Sequence, residues 1–416
     1  MSDCYLYSGN ILALIYDQQS LDDLLQSNFP LEKIVLLCPH LLQMTNNLES
    51  ASFCKIIYPH NYLNTGEVIS LAYREYKRSP YEEIIAPHEI DILRAADMRN
   101  FLKLPGQHPV SARAFRQKSV MKEILQQHDI LVPQFQVLNS PVDLLDFMKK
   151  NPFPFVVKPD FGTGSQGVNI LRSKEDLVKF LEDGANFQGD TREDLQVEIF
   201  IKGTMYHING FYGENEVIYV WPCIYPQQSI EMLSGRPASS YTLEASNPLV
   251  ERLNAYAHQV LEILPTPPHT PFHLEVFLTP ENEIVFCEIA CRIGGKGVRQ
   301  AWTESLGISL SNLYYEGIRT GLNKIKEEIS PNILSGEIWF PVKQGKLKCI
   351  EATCPFPWVK DYRTFYQGGD IINTELNNIN DCLCGSPLLV AHTELEMEKR
   401  LGELKDWVQR TTQWEG

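Results

Sequence analysis

A glycine-rich segment between two strand-like runs constrains the fold of this chain more than any other feature. Val156-Val-Lys158-Pro-Asp-Phe-Gly162-Thr-Gly164-Ser165-Gln-Gly167 leads directly into the β-branched residues 168–171. A helix begins only near Ser173, where Ser173-x-x-Asp176 matches a capping box. This order predicts a hairpin whose backbone N–H groups can surround phosphate oxygens, with Lys158 adding positive charge at the end of the first strand.

The glycine spacing formally matches G-x-G-x-x-G, a pattern that three kinds of phosphate site share, and alone it is a weak signal. A dinucleotide-binding fold needs a helix directly after the glycines, which the strand-like residues 168–171 exclude. A protein-kinase loop also lies between strands, but the chain has no His-Arg-Asp catalytic loop. The remaining interpretations are a flexible hairpin over nucleotide phosphates and a plain glycine turn with a surface lysine.

Two glutamates are predicted to face each other across a second hairpin. Residues 272–278 and 284–292 are strand-like and are joined by the turn-rich residues 279–283. A turn centred on Glu281 and Asn282 places Glu275 directly opposite Glu288, with Cβ atoms about 4.5–5.5 Å apart. Like charges at that distance are destabilising unless a cation lies between them, so we expect a divalent metal there. The alternative is a solvated sheet face of mixed charge.

The same alternation places a basic residue beside this pair. Side chains two residues apart lie on one face of a strand, so Arg292 is expected on the face of Glu288. From there its guanidinium can reach a phosphate or a developing acyl oxyanion.

Strand-like and helical patterns divide the 416 residues into more than one unit, as expected for a chain of this length. In residues 1–110 they alternate, which predicts a parallel sheet with strands at 11–16, 34–38 and 84–86 and a helix at about 89–102. Helices at 111–127 and 141–150 precede the glycine hairpin, and residues 196–225 and 270–292 are rich in strands. Beyond 330, short strands lead to an amphipathic helix at about 393–410.

Charge and composition exclude several classes of function. The formal net charge is -15, from 52 acidic and 37 basic side chains, which argues against a nucleic-acid or anionic-membrane surface. No apolar run approaches the roughly 18 residues needed to cross a bilayer, and the first residues lack a basic signal region. The ten cysteines are scattered, so we expect reduced thiols and a cytoplasmic protein.

Taken in order, these elements resemble the ATP-grasp superfamily, and within it the carboxylate–amine ligases that include bacterial dipeptide ligases. The resemblance runs from about residue 80 to 330. It implies an α/β protein with the ATP-grasp fold: an N-terminal α/β (pre-ATP-grasp) domain at 1–110, an ATP-grasp domain at 111–330 with ATP between its two subdomains, and a small C-terminal β-rich subdomain at 331–416.

The resemblance also implies a role for each candidate site residue. ATP phosphates would be bound by Lys118, Lys158 and the loop residues Gly162, Gly164, Ser165 and Gly167. The adenine would be held by Glu198, taken as lying on an edge strand, and by the backbone near Ile199 and Ile201. Glu275 and Glu288 would bind one or two Mg2+ ions, for which Mn2+ can substitute. Arg292, which begins an Arg-x-Gly-Gly segment, would act with Lys158 in catalysis.

Two positions depart from the family pattern. Ala290 stands where many members have a metal-binding Asn, so occupancy by a second metal is left open. Met205 stands where many members have a Glu for the ribose hydroxyls, so the choice of base is left open.

The expected function is activation of a small carboxylic acid, such as an amino acid, as an acyl phosphate and its transfer to an amine. One alternative is transfer to an acyl-carrier-protein thiol in antibiotic biosynthesis, and another is a non-catalytic nucleotide sensor. Homo-oligomerisation is left open. The pocket for the acid is not resolved by sequence; its candidates are His207, Arg236, Tyr241, Trp302 and the loop at 227–242.

Overall fold

The computed structural model describes residues 9–45, 48, 51–183, 186–187, 194–321, 328–373 and 382–415. Within these residues no helix is both long and apolar enough to cross a membrane.

The N-terminal unit alternates strands and helices, as the sequence predicts. Its elements are β1 (Asn10–Leu14), α1 (Gln18–Gln26), β2 (Ile34–Leu37), α2 (His40–Thr45), β3 (Lys55–Ile57), α3 (Thr65–Arg78), β4 (Tyr81–Ile85) and α4 (Ile92–Leu102). The strands form a parallel sheet in the order β3-β2-β1-β4. The sequence analysis missed β3, because a strand of three residues is too short to show a pattern.

Both faces of this sheet are covered. Ile11 and Ala13 of β1 pack into one hydrophobic cluster, and Leu12 and Leu14 pack into another on the opposite face. The strands therefore read as continuous apolar runs. Strands β2 and β3 lie on one side of β1, and β4 lies on its other side. The order of the strands therefore reverses at β1, and the loops after β1 and β4 diverge at the carboxyl edge of the sheet.

A second sheet, also of four strands, carries the glycine hairpin; we call it the small sheet. The elements here are α5 (Pro109–Ala114), α6 (Lys118–Gln126), β5 (Phe135–Leu138), α7 (Pro141–Lys150), β6 (Phe155–Pro159), β7 (Asn169–Leu171), α8 (Lys174–Glu182) and β8 (Leu195–Ile199). The strands pair antiparallel in the order β5-β8-β6-β7. The predicted hairpin is β6 and β7, and Ser173 caps α8 by accepting a hydrogen bond from the N–H of Asp176.

Two details of the prediction for this unit are wrong. The single helix expected at 111–127 is two helices, α5 and α6, with a break at 115–117. The strand of Glu198 is not an edge strand, because β8 lies between β5 and β6. Helical spacing alone cannot show such a break, and strand order depends on pairing between distant segments.

The largest sheet is antiparallel and has the order β13-β12-β9-β10-β11-β14-β18-β16. Its elements up to residue 339, with the adjoining helices, are β9 (Thr204–Tyr212), β10 (Val217–Gln227), β11 (Ala238–Thr242), α9 (Leu249–Ile263), β12 (Thr270–Leu278), β13 (Ile284–Ala290), α10 (Val298–Leu306), α11 (Leu310–Thr320) and β14 (Leu334–Trp339). The rest of the chain contributes β15 (Gly345–Cys349), β16 (Val359–Asp361), β17 (Ile371–Ile372), β18 (Leu388–Ala391), α12 (Glu394–Thr411) and β19 (Gln413–Trp414).

This sheet crosses the domain boundary that the sequence suggests at 330. Strand β11 pairs with β14, which pairs with β18, so strands from both sides of the boundary share one ladder. Of the described strands beyond residue 330, only β15, β17 and β19 lie outside this sheet, and they form a small sheet of their own. The division into 111–330 and 331–416 thus follows chain order and not the sheets.

Candidate active site between the two antiparallel sheets

A cleft of about 840 Å3, part of it open to solvent, lies between the glycine hairpin and the face of the largest sheet. Nine of the predicted site residues line the cleft: Lys118, Lys158, Gly162, Gly164, Ser165, Glu198, Ile201, Glu275 and Glu288. The others, Gly167, Ile199 and Arg292, lie outside its lining.

One end of the cleft is apolar. Its lining includes Val156, Ile170, Phe200, Met205 and Phe277. Such a slot suits a flat heterocyclic ring. Ile201 also lines the cleft, whereas Ile199 packs partly into the core of the small sheet and its N–H donates to the carbonyl of Gln134 at 3.0 Å.

The glycine loop forms one wall of the cleft. Gly164 and Ser165 have φ of 56° and 58°, and Gly167 has φ of 69°. Glycine adopts such left-handed conformations at little cost, and a Cβ at Gly167 would also come within 2.9 Å of the Pro159 ring. The loop is therefore a backbone-lined wall, which is the form expected of a phosphate-binding hairpin.

The root of the loop is tied to the helix that carries Lys118. The carboxylate of Asp160 accepts from the N–H of Ser119 at 2.8 Å and from its hydroxyl at 2.6 Å, so Asp160 caps the first turn of α6. Lys118 in turn donates to the carbonyl of Gly162 at 2.6 Å. The sequence analysis missed Asp160, since it lies 41 residues from its partner.

Glu198 is held by two buried lysines. Lys158 Nζ lies 2.6 Å from Glu198 Oε1, and Lys122 Nζ contacts Oε2 and also donates to Gln196 at 2.9 Å. Burial acts to raise the pKa of Glu198, but Lys122 and Lys158 outweigh it and lower the pKa to about 2. Burial lowers the pKa of Lys122 to about 8, whereas Glu198 raises that of Lys158 against the effect of burial. We call Glu198, Lys122 and Lys158 the lysine clamp.

The two glutamates of the second hairpin are directly opposite each other, as predicted. Glu275 pairs with Glu288 in the register of β12 and β13, and the register shifts only beyond Glu275, at Val276. Lys118 lies 3.0 Å from Glu288, and the hydroxyl of Tyr225 donates to Glu275 at 3.2 Å. Burial acts to raise the pKa of Glu288, but Lys118 and then Lys158 lower it overall.

Arg292 follows β13 and lies next to this pair. Its Nε donates to Glu89 Oε2 at 2.7 Å and its Nη1 donates to the carbonyl of Ile293 at 3.0 Å. Burial acts to lower the pKa of Arg292, but Glu89, with smaller contributions from Glu288 and Glu275, raises it. The guanidinium is therefore a fixed positive charge within electrostatic reach of both hairpin carboxylates.

Comparison with known proteins agrees with this arrangement. Residues 116–226 match the family described as phosphoribosylglycinamide synthetase, ATP-grasp (A) domain. The L-arginine-specific L-amino acid ligase of Bacillus subtilis is 24% identical over 331 residues, which are 75% of this chain and 76% of that protein. D-alanine–D-alanine ligase A of Bacillus cereus is 34% identical over 99 residues, 24% of this chain and 32% of that protein.

Solved structures show the same fold over almost the whole chain. The L-amino acid ligase of Bacillus licheniformis superposes with a TM-score of 0.73 at 17% identity, covering 96% of this chain and 97% of that one. The carboxyaminoimidazole ribonucleotide synthase of Aspergillus clavatus has a TM-score of 0.71 at 16% identity, with 97% and 99% covered. Residues 116–226 thus match an ATP-grasp domain, and almost the whole chain shares its fold with this ligase and this synthase. The predicted α/β fold is thereby confirmed.

Of the two departures from the family pattern, Met205 lines the cleft, whereas Ala290 lies outside its lining. Ala290 is buried and pairs with His273, whose Nε2 lies 3.4 Å from Glu275 Oε1. A ring nitrogen of His273 thus lies beside Glu275, on the strand opposite Ala290, where many family members have Asn. Met205 lines the apolar end, where it offers a ring an apolar contact and the ribose no hydrogen bond.

The candidates for the acid pocket have mixed positions. His207 is fully buried and bonded to Ser240 and Asn209, and burial holds its pKa well below the usual range. Tyr241 and Trp302 belong to the main hydrophobic core. Arg236 is largely exposed and pairs with Glu231. None of these four residues lines the cleft.

Proposed function

We propose that this protein is an ATP-dependent ligase that activates a small carboxylic acid, such as an amino acid, as an acyl phosphate and couples it to an amine, with release of ADP and phosphate. The observation that carries the proposal is the single cleft that collects Lys118, Lys158, the glycine loop and the opposed Glu275 and Glu288. Relatives that are amino-acid ligases support the choice of reaction.

The donor set suits Mg2+, or Mn2+ in its place. Among the described residues no three His, Cys, Asp or Glu side chains converge as a ready-made metal site. Mg2+ commonly takes only one or two carboxylates and completes its shell with waters and substrate phosphates, so Glu275 and Glu288 are a sufficient protein contribution. When bound, the metal would neutralise charge on the phosphate oxygens.

The two steps of the proposed reaction use groups that line the cleft together with Arg292, which lies beside it. A carboxylate oxygen of the acid attacks the γ-phosphorus of ATP in line, and the bond from that phosphorus to the bridging oxygen of ADP breaks. Lys118 and Lys158 hold the phosphates while the glycine loop covers them. The amine nitrogen then attacks the acyl carbon, the bond to the phosphate oxygen breaks, and the nitrogen loses a proton to solvent. Arg292 stabilises the oxyanion of this second step.

The decisive experiment replaces the unknown amine with hydroxylamine, which reacts directly with an acyl phosphate. Each proteinogenic amino acid is tested as the acid, with ATP and Mg2+, and ADP and hydroxamate are measured. We expect both products in equal amounts with at least one acid. AMP and pyrophosphate in place of ADP would show adenylation and contradict the proposed chemistry.

The acceptor is decided by a second arm of the same assay, in which hydroxylamine is replaced by amino acids or by an acyl carrier protein. We place the amine first because the relatives reported above are amino-acid ligases; none of them supports a carrier thiol or a role in antibiotic biosynthesis. A nucleotide sensor would release no ADP with any pair. A cytoplasmic location is part of the proposal and is supported by the nine described cysteines, all free thiols.

A further inference from the structure

The guanidinium of Arg292 is held in place from the N-terminal unit. Glu89 lies just after β4, at the diverging edge of the parallel sheet, and its Oε2 accepts from Arg292 Nε at 2.7 Å. The two residues are 203 positions apart. With Nη1 bonded to the carbonyl of Ile293, the bonds described for this side chain leave Nη2 for a ligand.

The other oxygen of Glu89 engages a second arginine. Arg116, in the break between α5 and α6, contacts Glu89 Oε1 through Nη1 and donates through Nη2 to the carbonyl of Phe161 at 2.8 Å. Phe161 lies at the root of the glycine loop. One carboxylate therefore connects three segments of the site: the loop after β4, the base of the phosphate hairpin and the residue after β13.

Electrostatics keep this carboxylate charged. Burial acts to raise the pKa of Glu89, but Arg292 and Arg116 outweigh it and lower the pKa to about 2. Without Glu89, the buried guanidinium of Arg116 and the half-buried guanidinium of Arg292 would lose the counter-charge that they share.

We propose that Glu89 is a positioning residue for the ligase reaction, fixing Arg292 against the reacting oxyanion and the glycine loop in register with it. The inference rests on the proposed function. A purely structural ion pair is the alternative, and the chain contains one for comparison two residues away: Asp91 is fully buried, pairs with Arg94 and accepts from the hydroxyl of Tyr62.

The test compares Glu89→Asp with Asp91→Asn. Glu89→Asp keeps the charge but shortens the side chain by one methylene, which displaces Arg292 by about 1 Å; a displacement of that size can slow a reaction by up to about 100-fold. We expect kcat for ADP release with saturating acid and hydroxylamine to fall about 10- to 100-fold, while the calorimetric Kd for ADP stays within about threefold. Asp91→Asn should lower the melting temperature and leave kcat per folded molecule unchanged.

A Glu89→Asp enzyme with wild-type kcat, or one whose affinity for ADP falls as steeply as kcat, would overturn the positioning role. If this variant does not fold, Glu89→Gln is used, because it keeps the length and one acceptor oxygen for Arg292 Nε, while it removes the charge and turns an NH2 group toward Arg116. It should have a kcat below wild type with unchanged Kd for ADP, and equal kcat would overturn the inference. Failure of the proposed function is distinct, since the wild-type protein itself would then form no ADP.

Discussion

The two carboxylate sites of the cleft differ in how their charge is balanced. In the lysine clamp one carboxylate, Glu198, meets two ammonium groups. In the hairpin pair two carboxylates, Glu275 and Glu288, meet one, that of Lys118. In the clamp the negative charge is therefore fully balanced by contacting side chains, whereas the hairpin pair has one negative charge more than the single ammonium group that contacts it. An unbalanced negative charge favours binding of a cation at the hairpin pair. A balanced charge favours a fixed arrangement of the side chains in the clamp.

The largest effect on stability is expected from Glu198→Gln. This change leaves Lys122 and Lys158 buried without their counter-charge and should lower the free energy of unfolding by about 3–5 kcal/mol. Chemical denaturation of the variant beside wild type measures it. A variant as stable as wild type would break the comparison, because Glu198 would then not be the centre of the clamp.

Glu288→Gln should have a different signature. It eases the repulsion from Glu275 but also removes the charged partner of Lys118, whose attraction lowers the pKa of Glu288, so the metal-free protein should lose clearly less stability than Glu198→Gln does. The loss of metal-bound charge stabilisation is worth several kcal/mol, so turnover should fall at least about 100-fold. The measurements are the melting temperature without metal and ADP release across a magnesium titration. A destabilised variant with normal magnesium dependence would contradict the metal assignment.

Glu337 on β14 extends the comparison to a buried carboxylate outside the cleft lining. It accepts from the indole N–H of Trp339 at 2.9 Å, and burial raises its pKa to about 8. Between its ordinary value of 4.5 and about 8 the folded state keeps a proton that the unfolded state has lost, so stability falls as pH rises through this window. Glu337→Gln should remove that fall and stabilise the protein at pH 7 by roughly 1–3 kcal/mol.

The check on Glu337 is the slope of unfolding free energy against pH between 5 and 8 for both proteins. Equal slopes would show that Glu337 is charged in the folded protein. Its negative charge would then have to be balanced by a contact other than the one from Trp339.

Lys158→Ala should have a smaller effect on stability than Glu198→Gln, because Lys122 remains to neutralise Glu198. Its charge near the glycine loop should still matter for nucleotide, with kcat/KM for ATP lower by about tenfold or more. Activity within about threefold of wild type, roughly 0.6 kcal/mol, would remove Lys158 from the phosphate site.

Local pattern was enough to predict the hairpin pair and the glycine loop. Glu275 pairs with Glu288 as predicted, but not through the turn alone: next to the turn Val276 pairs with Phe286, a register that would put Cys287 opposite Glu275. The shift between Glu275 and Val276 restores the predicted pair. Capping of α8 by Ser173 depends on residues three apart. In such cases chain neighbours determine which side chains meet.

What could not be predicted depends on distant segments. Glu89 meets Arg292 across 203 residues, and Lys122 meets Glu198 across 76. On the sequence, Lys122 is only one more polar position of an amphipathic helix. The pairing of β14 with β11 was missed for the same reason, because antiparallel partners joined by a long connection leave no periodic trace.

The continuity of the largest sheet past residue 330 restricts how this protein can be taken apart. Ending the chain there would strip β11 of its partner β14 and expose a row of unpaired backbone groups, which is a template for aggregation. The last eighty or so residues therefore cannot be exchanged between homologues as an independent unit. Such an exchange would first have to restore the pairing of β11 with β14 before it could change substrate specificity. Recombination is better placed in the exposed connection at 103–107, where no strand ladder is cut.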